Sequence, residues 1–290
     1  MTVRKGIILA GGTGSRLWPI TQGVSKQLMP VYDKPMIYYP LSVLMLAGIR
    51  EIAMITTPED QAQFQRLLGD GSQWGITLEW VVQPKPEGLA QAYILTEQFL
   101  AGSPSAMVLG DNIFFGHGLP ERMARADERA GGTVFGYRVS DPERYGVVSF
   151  APDGTVKEIV EKPSNPPSSY AVTGLYFLDE TAPERARAVQ PSARGELEIA
   201  DLLESYRHDG ALNVELIGRG YAWLDTGTHA SLLDAGNFVR TLQDRQGTQV
   251  GCPEEIAFDH GWLSVEGLKA RADLYAKTGY GAYLQSLLPT

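Results

Sequence analysis

The sequence is short of cysteine, histidine and positive charge, and each shortage excludes something. Cys252 is the only cysteine in 290 residues, so there is no intrachain disulfide and no cysteine metal cluster. His117, His208, His229 and His260 are scattered, with no H-x-x-x-H or H-E-x-x-H pair, which argues against a zinc hydrolase. No G-x-S-x-G element offers a nucleophile elbow. The net charge is −9 and the pI about 5.0, the opposite of what nonspecific nucleic-acid binding needs, although a local basic pocket for a nucleotide is compatible with both. The longest apolar run, from Met36 to Ala47, is too short to span a membrane and contains Pro40, Ser42 and two tyrosines. A charged-then-apolar leader pattern is broken at once by Gly11 to Arg16. These features imply a cytoplasmic protein with no membrane and no nucleic-acid partner. Its length suffices for one large domain or two small ones.

What is present begins at Lys5. Lys5 to Ala10 reads as a short buried strand, followed by Gly11, Gly12, Thr13, Gly14, Ser15 and Arg16. Glycines let a backbone turn sharply and approach a ligand closely, and exposed N–H groups after a strand make a concave anion site. Arg16 and Lys26 add fixed positive charge, so a polyphosphate is the natural occupant. The stretch is not a P-loop, because no Lys-Ser/Thr pair follows the glycines at the required spacing. Nor is it a dinucleotide fingerprint, because Leu17 stands where the third glycine belongs.

Strands and helices alternate through the first 140 or so residues. Ile52 to Thr56, Leu78 to Val82 and Ala106 to Leu109 read as strands. Thr57 to Asp60 reads as a helix N-cap with proline at the first helical position, and that helix runs to Gly69. A second helix is expected from about Gly88 to Gly102. This order predicts an α/β fold with a mainly parallel central sheet flanked by helices, and ligands beyond the carboxyl ends of its strands. After Thr133 the pattern turns β-rich, with strands over 133–139, 145–150, 155–160 and 171–178 and a hairpin turn at Pro152-Asp153-Gly154. Helices are expected over 183–189, 198–208 and 228–243, the last capped by Thr228. A helical tail follows from Cys252, and its aromatics Trp262, Tyr275, Tyr280 and Tyr283 are expected to leave apolar surface for association. The domain expectation is one catalytic unit over 1–245, its first part to about 130 and its β-rich part over 131–227, with a C-terminal helical segment over 246–290.

Candidate chemistry lies at strand ends. Asp111 and Asp225 each follow an apolar run and suit Mg2+, which commonly takes one or two carboxylates plus substrate phosphates; both also read as turn or cap acids. Glu161 and Lys162 read either as a solvated pair or as a sugar-hydroxyl acceptor beside a phosphate cation. Gln83, in a rigid Pro-rich loop that ends at Gly88, reads either as a surface turn residue or as a reader of a nucleobase edge.

These stretches together resemble the bacterial sugar nucleotidyltransferases, and among them the glucose-1-phosphate thymidylyltransferase family. The resemblance rests on Gly11 to Pro19, Ser25 to Tyr39, Gln83 to Gly88, Leu109 to Asn112, Glu161 to Pro163, Gly195 to Asp201 and Trp223 to Thr228, and so covers nearly the whole chain. It implies a Rossmann-like nucleotidyltransferase fold with an inserted β-rich sugar-binding part. It implies dTTP and glucose 1-phosphate as substrates, dTDP-glucose and pyrophosphate as products, and Mg2+ as cofactor. The product would feed dTDP-rhamnose or another dTDP-deoxysugar. By resemblance, Gly11, Gly12, Thr13, Gly14, Arg16, Lys26 and Gln27 take the triphosphate, and Gln83 and Gly88 the thymine. Gly146, Glu161, Lys162 and Val172 take the sugar phosphate. Asp111 and Asp225 take the metal, and the catalytic set is Arg16, Lys26, Lys162, Asp111 and Asp225. The family also implies a homotetramer and feedback by a dTDP-sugar. A UTP-using relative and a non-catalytic nucleotide-sugar sensor are the alternatives; all four of Arg16, Lys26, Asp111 and Asp225 being present speaks against the sensor.

Overall fold

The structure, a computed structural model, describes residues 3–12 and 14–289. Strand β1 (Lys5–Ala10) matches the expected boundaries. It leads into the glycine loop and then into a small hairpin of β2 (Pro30–Val31) and β3 (Lys34–Pro35). Helix α1 (Tyr38–Leu46) is apolar on every side and almost wholly buried, the behaviour of a helix packed between layers. Strand β4 (Glu51–Thr56), helix α2 (Gln61–Leu68) and strand β5 (Thr77–Val82) follow. Thr57 does cap, but it caps a turn: its Oγ1 accepts from the Asp60 N–H at 3.2 Å, and α2 starts only at Gln61. The single helix expected from Gly88 is two pieces, α3 (Gln91–Leu95) and α4 (Glu97–Leu100). Thr96 Oγ1 donates back to Ala92 O at 2.7 Å where they part, a bond that bends helices.

Next come β6 (Ser105–Leu109), β7 (Asn112–Gly116), α5 (Leu119–Glu128) and β8 (Gly132–Arg138). The β-rich part is β9 (Gly146–Phe150), β10 (Val156–Glu161) and β11 (Tyr170–Leu178). Helices α6 (Ala182–Ala188) and α7 (Ile199–His208), strands β12 (Leu212–Ile217) and β13 (Tyr221–Asp225), and helix α8 (His229–Gln246) complete the expected helices. Thr228 caps α8 as expected, in a reciprocal box with Ser231.

The parallel core is β6-β1-β4-β5. The β-rich part is a continuation of the same sheet, joined through β11. That strand runs antiparallel to β6 at its carboxyl end, to β9 at its amino end, and to β8 along its other edge at both ends. Core clusters lie on both faces, one around α1, Trp74 and Phe135, the other around Tyr93, Tyr176 and Tyr206. β7, absent from the sequence reading, and β13, expected there as the apolar run leading to Asp225, make a separate antiparallel ribbon, and α8 packs over it through Ala235 and Val239.

The tail forms α9 (Pro253–Asp259), α10 (Val265–Leu274) and α11 (Gly279–Ser286). Its aromatics do not form the exposed apolar surface expected of them. Tyr275 OH accepts from Arg271 Nη2 at 2.8 Å, Tyr283 OH donates to Glu255 at 2.6 Å, and Tyr280 OH donates to Glu254. In α8 and the tail the most exposed apolar side chains are aliphatic instead: Leu233 on α8 and Leu274 on α10, each 66% exposed. Glu254 has no exposed surface and is held by Arg271 through Nε at 3.0 Å and Nη2 at 2.8 Å. Cys252 beside it is buried, which pushes its thiol up to about 12.

Removing Arg271 strands the Glu254 carboxylate in the interior. Arg271→Ala is expected to lower stability by about 3–5 kcal/mol, the usual cost of breaking a buried pair. Urea denaturation checks this, and a midpoint unchanged from the parent would show that Glu254 needs no partner.

Candidate functional site

Because β1, β4, β5 and β6 are parallel, their carboxyl ends share one edge, and Gly11, Gln83 and Asp111 come to that edge from different strands. Gly11 is buried, and a Cβ there would collide with the Gln83 side-chain oxygen. Gly12 is exposed. Gly14 takes a left-handed conformation, φ 61°, and caps the 3-10 turn Ser15–Leu17 that presents Arg16. Thr13 lies outside the described residues. A second 3-10 turn, Lys26–Leu28, buries Lys26 and Gln27, and Ser25 Oγ donates to Gln27 Oε1 at 3.0 Å.

Asp111 sits in the two-residue link between β6 and β7. Lys26 Nζ donates to its Oδ2, and Asn112 Nδ2 donates to its Oδ1 at 2.8 Å. Asn112 is itself oriented, since its Oδ1 accepts from Trp223 Nε1 at 2.6 Å and from the Gly174 N–H at 3.2 Å. The ribbon sets Asp225 opposite Asn112, and Thr226 Oγ1 donates to Asp111 O at 2.9 Å. Two acids far apart in sequence therefore end neighbouring strands. Arg144 bridges from the other side, with Nη2 to Asp225 at 3.1 Å and Nη1 to Asp141 at 2.6 Å. The bond to Asp141 and then the charge of Asp225 hold its guanidinium firmly protonated. Burial, with Asp225 close by, pushes the Tyr145 hydroxyl up to about 12.

Strand β10 delivers Glu161 opposite Gly146 of β9. Lys162 follows with φ 42°, unusual for a residue other than glycine, and its Nζ lies 3.0 Å from Glu161 Oε1. Arg194 lies 2.8 Å from Glu198 and 3.7 Å from Glu161. The acids outnumber it there: burial and then Glu198, Glu161 and Glu204 raise the Asp201 carboxyl above its ordinary range.

Two clefts meet at these groups. One, about 280 Å³, is lined by Gly12, Gln27, Gln83 and Gly88. The other, about 250 Å³, is lined by Arg16, Arg144, Gly146, Val172, Trp223 and Asp225. Asp111, Glu161 and Lys162 line both. Gly11, Gly14 and Lys26 line neither; they act from behind, through Gln83, the Arg16 turn and Asp111. Gly88 has φ 104°, and a Cβ on it would strike the Leu197 main chain, so its lack of a side chain is also a packing requirement. A larger cavity of about 630 Å³, between the 30–35 hairpin and the C-terminal helices, contains none of the candidate residues.

Sequence reasoning missed Arg144, Trp223 and Arg194 as site residues, and it passed over Asn112. Asn112 had a signal, being adjacent to Asp111. Trp223 had one too, two residues before Asp225; Arg144 and Arg194 reach the site through tertiary placement alone. Chemically, the arrangement can hold two anionic ligands end to end, with Lys162 and two carboxylates, Asp111 and Glu161, at the junction and Arg16 and Arg144 along the second cleft.

The nucleotidyl transferase family model matches residues 5–241. Glucose-1-phosphate thymidylyltransferase of Xanthomonas campestris pv. campestris is 62% identical over 288 residues, covering 99% of this chain and 98% of that one. The Mycobacterium tuberculosis enzyme of the same name is 53% identical over 284 residues, covering 98% and 99%. Among solved structures, a Bacillus anthracis glucose-1-phosphate thymidylyltransferase in complex with sucrose superposes with a TM-score of 0.76 at 41% identity, covering 82% of this chain and 96% of that one. A UDP-glucose pyrophosphorylase complexed with UDP-glucose, 23% identical, superposes with a TM-score of 0.73 over 82% and 99%, and so shares the fold. With its parallel core, its glycine loop and these relatives over almost its full length, the chain belongs to the nucleotidyl transferases and, within them, to the glucose-1-phosphate thymidylyltransferase family.

Proposed function

We propose that the enzyme transfers the dTMP unit of dTTP to glucose 1-phosphate, giving dTDP-glucose and pyrophosphate. The observation that carries this is the junction: two clefts of similar size share the walls formed by Asp111, Glu161 and Lys162. The nucleotide belongs in the cleft with Gly12, Gln27, Gln83 and Gly88, beside the glycine loop. The sugar phosphate belongs in the cleft with Gly146, Glu161 and Val172. This divides the work between residues 1–130 and 131–227, with the helical segment 246–290 packed against α1.

In the reaction a phosphate oxygen of glucose 1-phosphate attacks the α-phosphorus of dTTP and pyrophosphate leaves. Both reactants are anions, so positioning and charge neutralisation supply most of the rate. A phosphate is already ionised at neutral pH and needs no general base. Arg16, on the adjoining cleft, faces the departing phosphates, Lys26 acts behind them through Asp111, and Lys162 holds the attacking phosphate against the α-phosphorus. Arg144 and Arg194, close to Asp225 and Glu161, add positive charge at the sugar-phosphate end. Glu161 accepts from sugar hydroxyls.

The residues fit Mg2+. Among the described residues no group of three or more His, Cys, Asp or Glu could hold a metal unaided. Asp111 and Asp225 at neighbouring strand ends suit an ion that takes one or two protein carboxylates and completes its shell with phosphate oxygens and water. Bound there, the ion would draw charge from the α-phosphate. Lys26 and Arg144 pair with these same two acids and keep them from repelling each other.

The reaction is tested by measuring pyrophosphate release with dTTP, UTP, dCTP and dATP against several sugar 1-phosphates. dTTP with glucose 1-phosphate is expected to lead; release with no pair at all would refute the enzyme reading, and a preference for UTP would move the chain to the uridylyl-transferring alternative. Asp111→Asn and Asp225→Asn should each lower turnover by about 10²-fold, as loss of one strong electrostatic stabiliser does. The double variant should lose less than the product of the two, because both serve one ion. Unchanged turnover of Asp225→Asn at saturating Mg2+ would remove that residue from the metal site. The assembly belongs to the same proposal: a homotetramer, supported by the resemblance and by exposed Leu233 and Leu274, with feedback by a dTDP-sugar. Light scattering should return four times the 31.7 kDa chain mass, and a monomer mass at micromolar concentration would overturn it.

A further inference from the structure

Gln83 ends in an amide whose two polar atoms differ only in that one donates and the other accepts. Which of them faces the cleft decides what kind of base edge it can meet. Gln83 is only 3% exposed. Its Nε2 donates to Gln91 Oε1 at 2.7 Å. The same Gln91 oxygen accepts from the Glu87 main-chain N–H at 3.2 Å, and Gln91 Nε2 donates to Glu87 Oε2 at 2.8 Å. A carboxylate only accepts, and a main-chain N–H only donates. Glu87 therefore fixes both ends of the Gln91 amide. Gln91, 8% exposed, in turn claims the Gln83 amine. The Gln83 oxygen is left over against Gly11, on the wall of the cleft, and no donor among the described residues reaches it.

We infer that Gln91 and Glu87 are positioning residues that set the polarity of Gln83, so that the cleft offers the nucleobase a hydrogen-bond acceptor. Such a cleft favours bases whose ring N3 carries a proton, thymine and uracil. It disfavours cytosine, whose N3 is itself an acceptor and would face the Gln83 oxygen unpaired. Neither positioning residue touches the phosphates or the sugar, so their influence falls on base choice and not on the chemical step. The relay also gives Gly11 a second duty. Any side chain there would push on the Gln83 oxygen and disturb the one atom that the relay leaves free.

This inference rests on the proposed placement of the base at Gln83, and the test separates the two. KM and kcat for dTTP and for dCTP are measured with glucose 1-phosphate on the full-length enzyme and on five variants. Gln91→Glu keeps an acceptor for both the Gln83 amine and the Glu87 N–H, so the dTTP:dCTP ratio of kcat/KM should be retained. Gln91→Leu frees Gln83 to turn over, and the ratio should fall by about tenfold, the scale on which one mispaired polar contact discriminates substrates. Gln91→Lys supplies a donor that the Gln83 oxygen would take, turning the amine to the cleft, so the ratio should fall further than with leucine. Glu87 is exposed, so Glu87→Ala folds and should move the ratio in the same direction by a smaller step. The kcat for dTTP should stay within a few-fold in the Gln91 and Glu87 variants, which separates a positioning role from general damage to the site. A ratio unchanged in Gln91→Leu, Gln91→Lys and Glu87→Ala while Gln83→Leu shifts it would overturn the relay and leave the base placement standing. A ratio unchanged in Gln83→Leu as well would overturn the placement and the relay together.

Discussion

The main-chain pairing of β7 with β13 is the constraint on which the arrangement of the two clefts depends. It sets Asp225 opposite Asn112 and so beside Asp111. Without it the two acids belong to unrelated parts of the chain. The ribbon is held by more than its own hydrogen bonds, which matters because an isolated two-stranded ribbon is marginal in water. Helix α8 covers one side through Ala235 and Val239, next to Ile113. Trp223, buried among the tyrosines 137 and 145, sends its indole N–H to Asn112. Asn112 passes that anchoring to Asp111, so the carboxylate is aimed by packing that begins two side chains away. Preorganisation of this kind keeps an electrostatic site effective, because no reorientation is needed as charge develops.

The second organising feature is the interleaving of charges. Each acid at the junction has a basic neighbour: Lys26 for Asp111, Arg144 for Asp225, Lys162 and Arg194 for Glu161. The chain as a whole carries a net charge of −9, yet the clefts are not uniformly acidic. A site that must admit two polyanions in succession gains from this arrangement, since phosphates can displace carboxylates as partners of the same cations. The burial of Lys26 places one such cation inside the protein, where an ion pair is screened less than at the surface.

Much of this was legible in the sequence. The β1 strand, the glycine loop, the parallel half of the sheet, the hairpin at Pro152 to Gly154 and the Thr228 cap all follow from local chemistry. So do the strand-end positions of Asp111 and Asp225. What was not legible depended on partners distant in sequence. β6 ends legibly at Gly110-Asp111, but the five residues of β7 that follow carry no pattern tying them to β13 more than a hundred positions on. The break between α3 and α4 comes from one threonine hydroxyl returning to its own helix. The tail aromatics looked like association surface because their hydroxyls' partners, Glu254, Glu255 and Arg271, could not be assigned from spacing. Arg144 and Arg194 sit in loops with no motif of their own, and only the folded chain brings them to the acids.

Strand β11 has a consequence of a mechanical kind. On one edge its carboxyl half is sewn to β6 in the parallel core and its amino end to β9, while β8 is sewn to both halves along the other edge. The register with β8 slips between Val172 and Tyr176, and there the Gly174 N–H turns aside to Asn112. One rod of backbone thus joins the parallel core to the β-rich part, and its irregularity lies in the wall of the cleft that holds Gly146 and Asp225. The halves cannot hinge apart without tearing main-chain hydrogen bonds from the middle of a sheet. The wall of that cleft is therefore cast when the chain folds, and any motion around it falls to the loops at its rim.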